Sequence, residues 1–215
     1  MPQHPGARTW SLTSCALILL WISSAAAATS TFAVDASASS VRVHVGKTGI
    51  GSFAGHEHDV VAQSLRGEVV ADFDDLPRSS VDISVNARSL KVTGSDEPEE
   101  DVPKVQQAMT GPKVLHVARF PSIRFRSREV AAKRISPGLY ELLITGELSL
   151  HGVTKTMTVV PIRLEAGGDT LTGTGKMVVK QTEFGIEPVS AAGGLVQVED
   201  EVTVSFRIVA RAGTP

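Results

Sequence analysis

Apolar and polar residues alternate with a period of two along most of the chain, in short segments separated by Gly, Asp, Pro and Ser. An extended strand points successive side chains to opposite faces, so each segment predicts a strand with one buried face and one polar face. Such segments lie at residues 32–35, 41–45, 65–73, 81–85, 123–126, 139–150, 156–164, 171–179 and 202–208. The chain is therefore predicted to be mainly β, with eight or more strands.

One segment departs from this alternation. Val102, Val105 and Met109 follow an acidic run at helical spacing, and Thr110-Gly111-Pro112 ends the pattern. We predict a short helical insertion from Asp101 to Met109. The acidic run lacks the alternating ligands and central glycine of a calcium loop, and its charge suits the N-terminus of a helix.

Antiparallel strands with one apolar face can form a sandwich or a closed barrel. The segments 139–150 and 156–164 form a long hairpin, which favours an up-and-down barrel. A barrel of about eight strands is just wide enough to be filled by side chains or to hold one small ligand. The sequence thus predicts an antiparallel eight-stranded β-barrel with a short helical insertion.

The N-terminus predicts export. Arg8 precedes an apolar run from Cys15 to Ile22 and then a series of small residues. Residues 1 to about 28 are predicted to be a cleaved secretory signal peptide, and residues 29–215 a single domain. The apolar run is much shorter than the ~20 residues that span a bilayer, and no second candidate follows, so we do not expect an integral membrane protein.

Composition narrows the chemistry further. Cys15 is the only cysteine, so the processed chain would contain no thiol for a disulfide, a thiolate metal site or a cysteine nucleophile. Loss of Arg8 leaves 20 basic residues against 23 acidic ones, and no basic patch with interleaved aromatic residues indicates nucleic acid. No Gly-x-Ser-x-Gly or His-Glu-x-x-His motif occurs, so we do not expect an enzyme.

Several motifs occur in the order typical of one family. The most distinctive is the strand and turn from Gly146 to Lys155, with Leu148 and Leu150 on one face and Gly152 in the turn. The others lie at residues 32–35, 51–55, 81–90, 120–127 and 183–186. Together they resemble the YceI-like family of periplasmic polyisoprenoid- and lipid-binding proteins over residues 31 to 209.

This resemblance implies a lipocalin-like barrel whose apolar lumen holds an isoprenoid, quinone or fatty-acyl chain, as a periplasmic carrier or sequestering protein without a cofactor. The oligomeric state stays open, a homodimer included. Candidate lumen residues occupy the apolar faces of the predicted strands, although the same alternation would suit a filled core. They are Val43, Val45, Phe53, Val69, Phe73, Ile83, Val85, Phe125, Leu148, Leu150, Phe184 and Phe206.

The chain departs from the family pattern in two places. Many members carry an arginine where this chain has Gln181, so a pyrophosphate-headed ligand is less expected here. The second departure is His56-Glu57-His58, which the commoner members lack.

The histidine pair suggests an alternative function. On a strand, His56 and His58 would point to the same side about 7 Å apart, close enough to share a metal ion. His44 and His151 are candidates for further ligands, with His116 and Asp59 as other choices. An imidazole set without thiolates suits zinc or copper, and such a centre could be redox-active or hydrolytic.

Overall fold

A computed structural model describes residues 29–49, 56–94, 98–191, 193 and 195–213; the side chains of residues 160 and 191 are excepted. The predicted signal peptide at 1–28 and the 51–55 motif with Phe53 lie outside the described residues. Export therefore remains a prediction.

The described residues form twelve strands and one α-helix. They are β1 (Thr29–Val34), β2 (Ser40–Thr48), β3 (His58–Ala62), β4 (Leu65–Asp72), β5 (Ser80–Asn86), β6 (Leu90–Val92), α1 (Val102–Thr110), β7 (Ser122–Ser136), β8 (Leu139–Leu150), β9 (Val153–Gly167), β10 (Thr170–Lys180), β11 (Ser190–Ala191) and β12 (Val196–Ala212). The helix begins and ends one residue later than predicted.

All strand pairings are antiparallel, and the sheet closes where β1 and β2 both pair with β12. In three positions of the sheet, two short strands lie end to end and together act as one barrel strand. These are β1 with β2, β3 with β4, and β5 with β6. Among the described residues, the two-residue strand β11 pairs only with β12 and lies outside this order. Counted in this way, eight strands follow one another around the barrel in chain order. The predicted eight-stranded up-and-down barrel with one short helix is confirmed.

The interruptions lie at residues 35–39, 63–64 and 87–89. Backbone hydrogen bonds continue across two of them, from the Gln63 amide to the Ser89 carbonyl at 3.3 Å and from the Asn86 amide to the Ser64 carbonyl at 3.2 Å. By contrast, β7 to β10 and β12 are continuous strands of 11 to 17 residues. One side of the barrel is thus built from broken strands and the other from continuous ones.

The distinctive hairpin of the sequence joins β8 to β9. Leu142, Ile144 and Leu148 are buried, whereas Glu147 pairs with Arg128 on the outer face at 2.8 Å. The turn consists of His151 at φ 51° and Gly152 at φ 78°, the left-handed pair that a two-residue hairpin turn needs. The prediction that Gly152 allows the chain to reverse is confirmed.

Replacing Gly152 by alanine is expected to destabilise the barrel by about 1–3 kcal/mol, because alanine is strained in the left-handed region. Its Cβ would also lie 2.5 Å from the Phe120 ring. Gly168→Ala is the matched control, since Gly168 also has a positive φ but no atom lies near its Cβ position. Urea denaturation should show a larger loss for Gly152→Ala. Equal losses would mean that the Phe120 contact contributes nothing.

The helix covers one end of the barrel. Val102, Val105 and Met109 pack on the apolar cluster of β3 and β6. The Gln106 side chain accepts from the Val92 amide and donates to the Leu90 carbonyl, both at 3.0 Å, and so satisfies backbone groups of β6. Within the described part of the chain, no helix is long and apolar enough to cross a membrane.

Candidate functional site

The inside of the barrel contains three adjacent apolar cavities of about 180, 150 and 100 Å³, which we call the upper, middle and far cavities. The upper and middle cavities share Val85 and Leu148 in their walls, and the middle and far cavities share Ile83 and Phe206. A fourth cavity of about 160 Å³ lies under α1 and shares Met109 with the upper one. We call this row of four cavities the lumen.

The lumen is long and narrow. On β10, Val179 lines the upper cavity and Leu171 lines the far cavity, eight residues away. At 3.3 Å per residue this separation is roughly 26 Å along the strand. The lumen therefore has the shape of an extended chain rather than of a compact molecule.

Polar side chains line the lumen only near its two ends, as far as the described residues go. The middle cavity has an entirely apolar wall. Gln181 lines both the upper cavity and the cavity under α1, and His58 also lines the cavity under α1. At the other end, Ser79 lines the far cavity. The site is thus suited to contact with hydrocarbon along its length and to a few hydrogen bonds at its ends.

Nine of the twelve candidate lumen residues from the sequence line these cavities. They are Val43, Val45, Val69, Ile83, Val85, Phe125, Leu148, Leu150 and Phe206. Whether they contact a ligand remains a prediction.

Two other candidates lie elsewhere. Phe184 is completely buried behind the wall of the upper cavity, where it packs against Ile186 and Val202, which do line that cavity. Phe73 is 42% exposed and packs edge-on against Phe32, with ring centroids 6.2 Å apart. It differs from the prediction because β4 ends at Asp72, where a turn interrupts the alternation.

Several residues that line the lumen were not among the candidates from the sequence. Met177 and Val179 of β10, and Val202 and Val204 of β12, line the upper cavity. Their own alternation could have identified them, although Gly173 and Gly175 interrupt the apolar pattern of β10. Leu115 lies in a turn after α1 and carries no periodic signal.

Inward-facing glycines create room for the large rings of the lumen. A Cβ on Gly146 would lie 2.6 Å from Cζ of Phe125, and one on Gly175 would lie 2.8 Å from Cζ of Phe206. A Cβ on Gly173, which lines the far cavity, would meet only Ile162, at 3.8 Å. Gly173 therefore leaves open space inside the barrel.

Gln181 is held by a short 3-10 turn that follows β10. Its Nε2 donates to the Glu199 carbonyl at 2.8 Å. The amide N–H and the hydroxyl of Thr182 both donate to Asp200, at 2.8 and 2.7 Å, and hold the pKa of that carboxyl below its usual range. These bonds fix the turn against β12 and direct the Gln181 side chain to the lumen.

The four histidines proposed as metal ligands do not converge. In the pairing of β2 with β3, His44 is opposite Asp59 and His58 is opposite Val45. His58 therefore faces the lumen with Val45, whereas His44 is exposed and contacts Asp59 at 3.0 Å on the outer face. Among the described residues, no three His, Cys, Asp or Glu side chains could hold a metal ion together.

His56 and His151 lie in other surroundings. His56 is exposed before the start of β3 and lies near Asp101, the residue before α1. The pKa of Asp101 is lowered mainly by its hydrogen bond to Lys104 and to a smaller extent by His56. Nδ1 of His151 lies 3.1 Å from the Phe184 carbonyl, and its ring packs edge-on against Phe120. The turn conformation and these contacts give His151 a structural role.

The barrel, its capping helix and its long apolar lumen define the class of protein: a small antiparallel barrel with an interior of ligand size. The chain belongs to the YceI-like domain family, whose model matches residues 32–210, and the resemblance found in the sequence is confirmed. It is 31% identical over 118 residues to a UPF0312 protein of Shewanella denitrificans. The matched stretch is 55% of this chain and spans only 56% of that relative.

Two solved structures share the fold. BcnA of Burkholderia cenocepacia has a TM-score of 0.61 at 19% identity, over 82% of this chain and 98% of that one. A polyisoprenoid binding domain from Saccharophagus degradans, implicated in plant cell wall breakdown, has a TM-score of 0.60 at 12% identity, over 85% and 98%.

Proposed function

We propose that this protein is exported to the periplasm and there binds one long apolar lipid in its lumen, as a carrier or a sequestering protein. The observation that carries the proposal is the continuous apolar row of cavities from Val179 to Leu171. An isoprenoid, quinone or fatty-acyl chain has the matching shape. The Saccharophagus degradans neighbour, described as a polyisoprenoid binding domain, supports an isoprenoid among these.

Hydrocarbon burial alone supplies enough affinity for such a function. Each buried methylene contributes roughly 0.8 kcal/mol, so ten of them contribute roughly 8 kcal/mol before the entropic cost of association. A dry wall such as that of the middle cavity provides this gain without any charged or catalytic group. In this function the protein binds its lipid and performs no reaction.

Native mass spectrometry of the protein purified from the periplasm tests this function. We expect a mass that lacks residues 1 to about 28, together with a near-stoichiometric lipid that leaves on denaturation and can be extracted and identified. A protein that is empty as purified and takes up no added lipid would contradict the proposal and make the lumen an ordinary core.

Gly173→Leu is expected to shorten the lipid that the barrel accepts, because the new side chain would extend into the far cavity and its Cβ would meet only Ile162, at an ordinary contact distance of 3.8 Å. The thermal midpoint should be unchanged or higher, since leucine buries apolar surface there. Gly167→Leu is the matched control, because Gly167 is exposed near the end of β9 and its Cβ position is also open. Lipid extraction should show shorter chains in Gly173→Leu alone; unchanged chain lengths would mean that the lipid does not reach the far cavity.

A further inference from the structure

The walls of the lumen contain no lysine, arginine, aspartate or glutamate among the described residues. The ionisable side chain that they do contain, His58, lies in the cavity under α1. A phosphate or carboxylate head inside the upper cavity would lose its hydration without meeting a cation, which is strongly unfavourable. The charge distribution therefore favours a ligand that carries no charge.

Polar contact is nevertheless available at one place in the upper cavity. Gln181 is the polar side chain in that cavity's otherwise apolar wall. One N–H of its Nε2 is used by the Glu199 carbonyl, so the second N–H and the amide oxygen can face a ligand. A hydroxyl or a carbonyl group is the natural complement of an amide that both donates and accepts.

The opposite end of the lumen offers fewer hydrogen-bonding groups to a ligand. The Ser79 hydroxyl in the far cavity already accepts from the Asp72 amide at 3.0 Å. No other polar side chain is found among the described residues that line that cavity, so its remaining wall suits the end of a hydrocarbon chain. The polarity of the two ends thus gives the ligand a direction, with its head towards α1.

We infer that the lumen selects lipids with an uncharged, hydrogen-bonding head, such as a long-chain alcohol or a quinone, and that Gln181 contacts this head. The inference rests on the lipid-binding function proposed above. Gln181 is a specificity-determining residue in this scheme: an amide there accepts a neutral head, whereas a cation there would favour a phosphorylated one.

A competition between two lipids with the same chain tests the inference. The delipidated protein is mixed at pH 8 with equal amounts of geranylgeraniol and geranylgeranyl diphosphate, and native mass spectrometry measures both complexes. We expect the alcohol complex to exceed the diphosphate complex by at least about tenfold.

Two substitutions connect this preference to Gln181. Gln181→Arg should lower the ratio of alcohol to diphosphate complex by at least about tenfold, because the guanidinium supplies the missing cation. Gln197→Arg is the matched control, since Gln197 is exposed on β12, and it should leave the ratio unchanged. Gln181→Met keeps the size of the side chain without its amide, and should lower the preference for geranylgeraniol over the hydrocarbon phytane.

The outcomes distinguish a failure of the inferred head-group preference from a failure of lipid binding itself. Equal complexes, or more of the diphosphate complex, would overturn the inference about the head group and leave lipid binding intact. An unchanged ratio in Gln181→Arg, with a thermal midpoint close to that of the original protein, would overturn the role of Gln181. A protein that binds neither lipid would overturn the lipid-binding function itself.

Discussion

Phe206→Asp is expected to empty the barrel of lipid. Phe206 lines both the middle and the far cavities and belongs to the apolar cluster around Ile144 and Ile162. A carboxylate at this position would be desolvated without a partner, and the ring would leave a cavity behind. We expect the free energy of unfolding to fall by about 3–5 kcal/mol, and lipid retention to be lost.

Two further variants separate these effects. Ser205→Asp adds the same charge on the outer face of β12, opposite Lys176 and Arg42 in the neighbouring strands, and should change neither stability nor lipid content. Phe206→Leu keeps the wall apolar and should retain lipid. Lipid extraction and urea denaturation measure the two quantities; full lipid content in a folded Phe206→Asp protein would show that the ligand binds elsewhere.

Asp72→Ala is expected to produce the second large loss of stability. Asp72 is completely buried, and its Oδ1 accepts from the amides of Asp74 and Asp75 at 3.1 and 3.0 Å. Alanine would leave both amides without this acceptor at the point where β4 turns towards β5. We expect the free energy of unfolding to fall by about 2–4 kcal/mol.

Asp72→Asn is the informative comparison. Asparagine keeps an oxygen for the two amides and removes a charge whose other oxygen, Oδ2, has no hydrogen-bond partner and lies 3.9 Å from Nε of Arg78. We therefore expect a loss below about 1.5 kcal/mol for Asp72→Asn in urea denaturation. Equal losses for the two variants would show that the negative charge, rather than the turn, determines stability here.

Sequence alternation predicted the strands of the barrel, because strands with one buried face show it directly, and the long hairpin at 139–164 favoured a barrel over a sandwich. The β8–β9 hairpin is the clearest case: residues 147–150 alternate between polar and apolar side chains, and Gly152 identifies the turn. The division of three barrel strands into shorter pieces was not predictable, since it depends on long-range pairing. β1 and β2 follow one another only because both pair with the single strand β12.

The part of the candidate site that is built from strand residues could be predicted from the sequence. Val85 and Phe125 lie on inward faces that alternation identifies. Leu115 could not be found in the same way, because it reaches the upper cavity from a turn. The His-x-His spacing was misleading because β3 begins only at His58, and because His44 and His58 lie on opposite faces of the β2–β3 pair.

The interruptions at 35–39, 63–64 and 87–89 leave β1 to β6 with short strand pairings, whereas β7, β8 and β9 pair with one another over long ladders. Opening between β7, β8 and β9 would break these long ladders. Opening among β3 to β6 would break short ladders, whose junctions contain bonds of 3.2 and 3.3 Å. Local opening follows the least costly route, so amide hydrogen exchange should be faster in β3 and β6 than in β8. A long chain could then pass sideways between parted strands instead of threading in from one end.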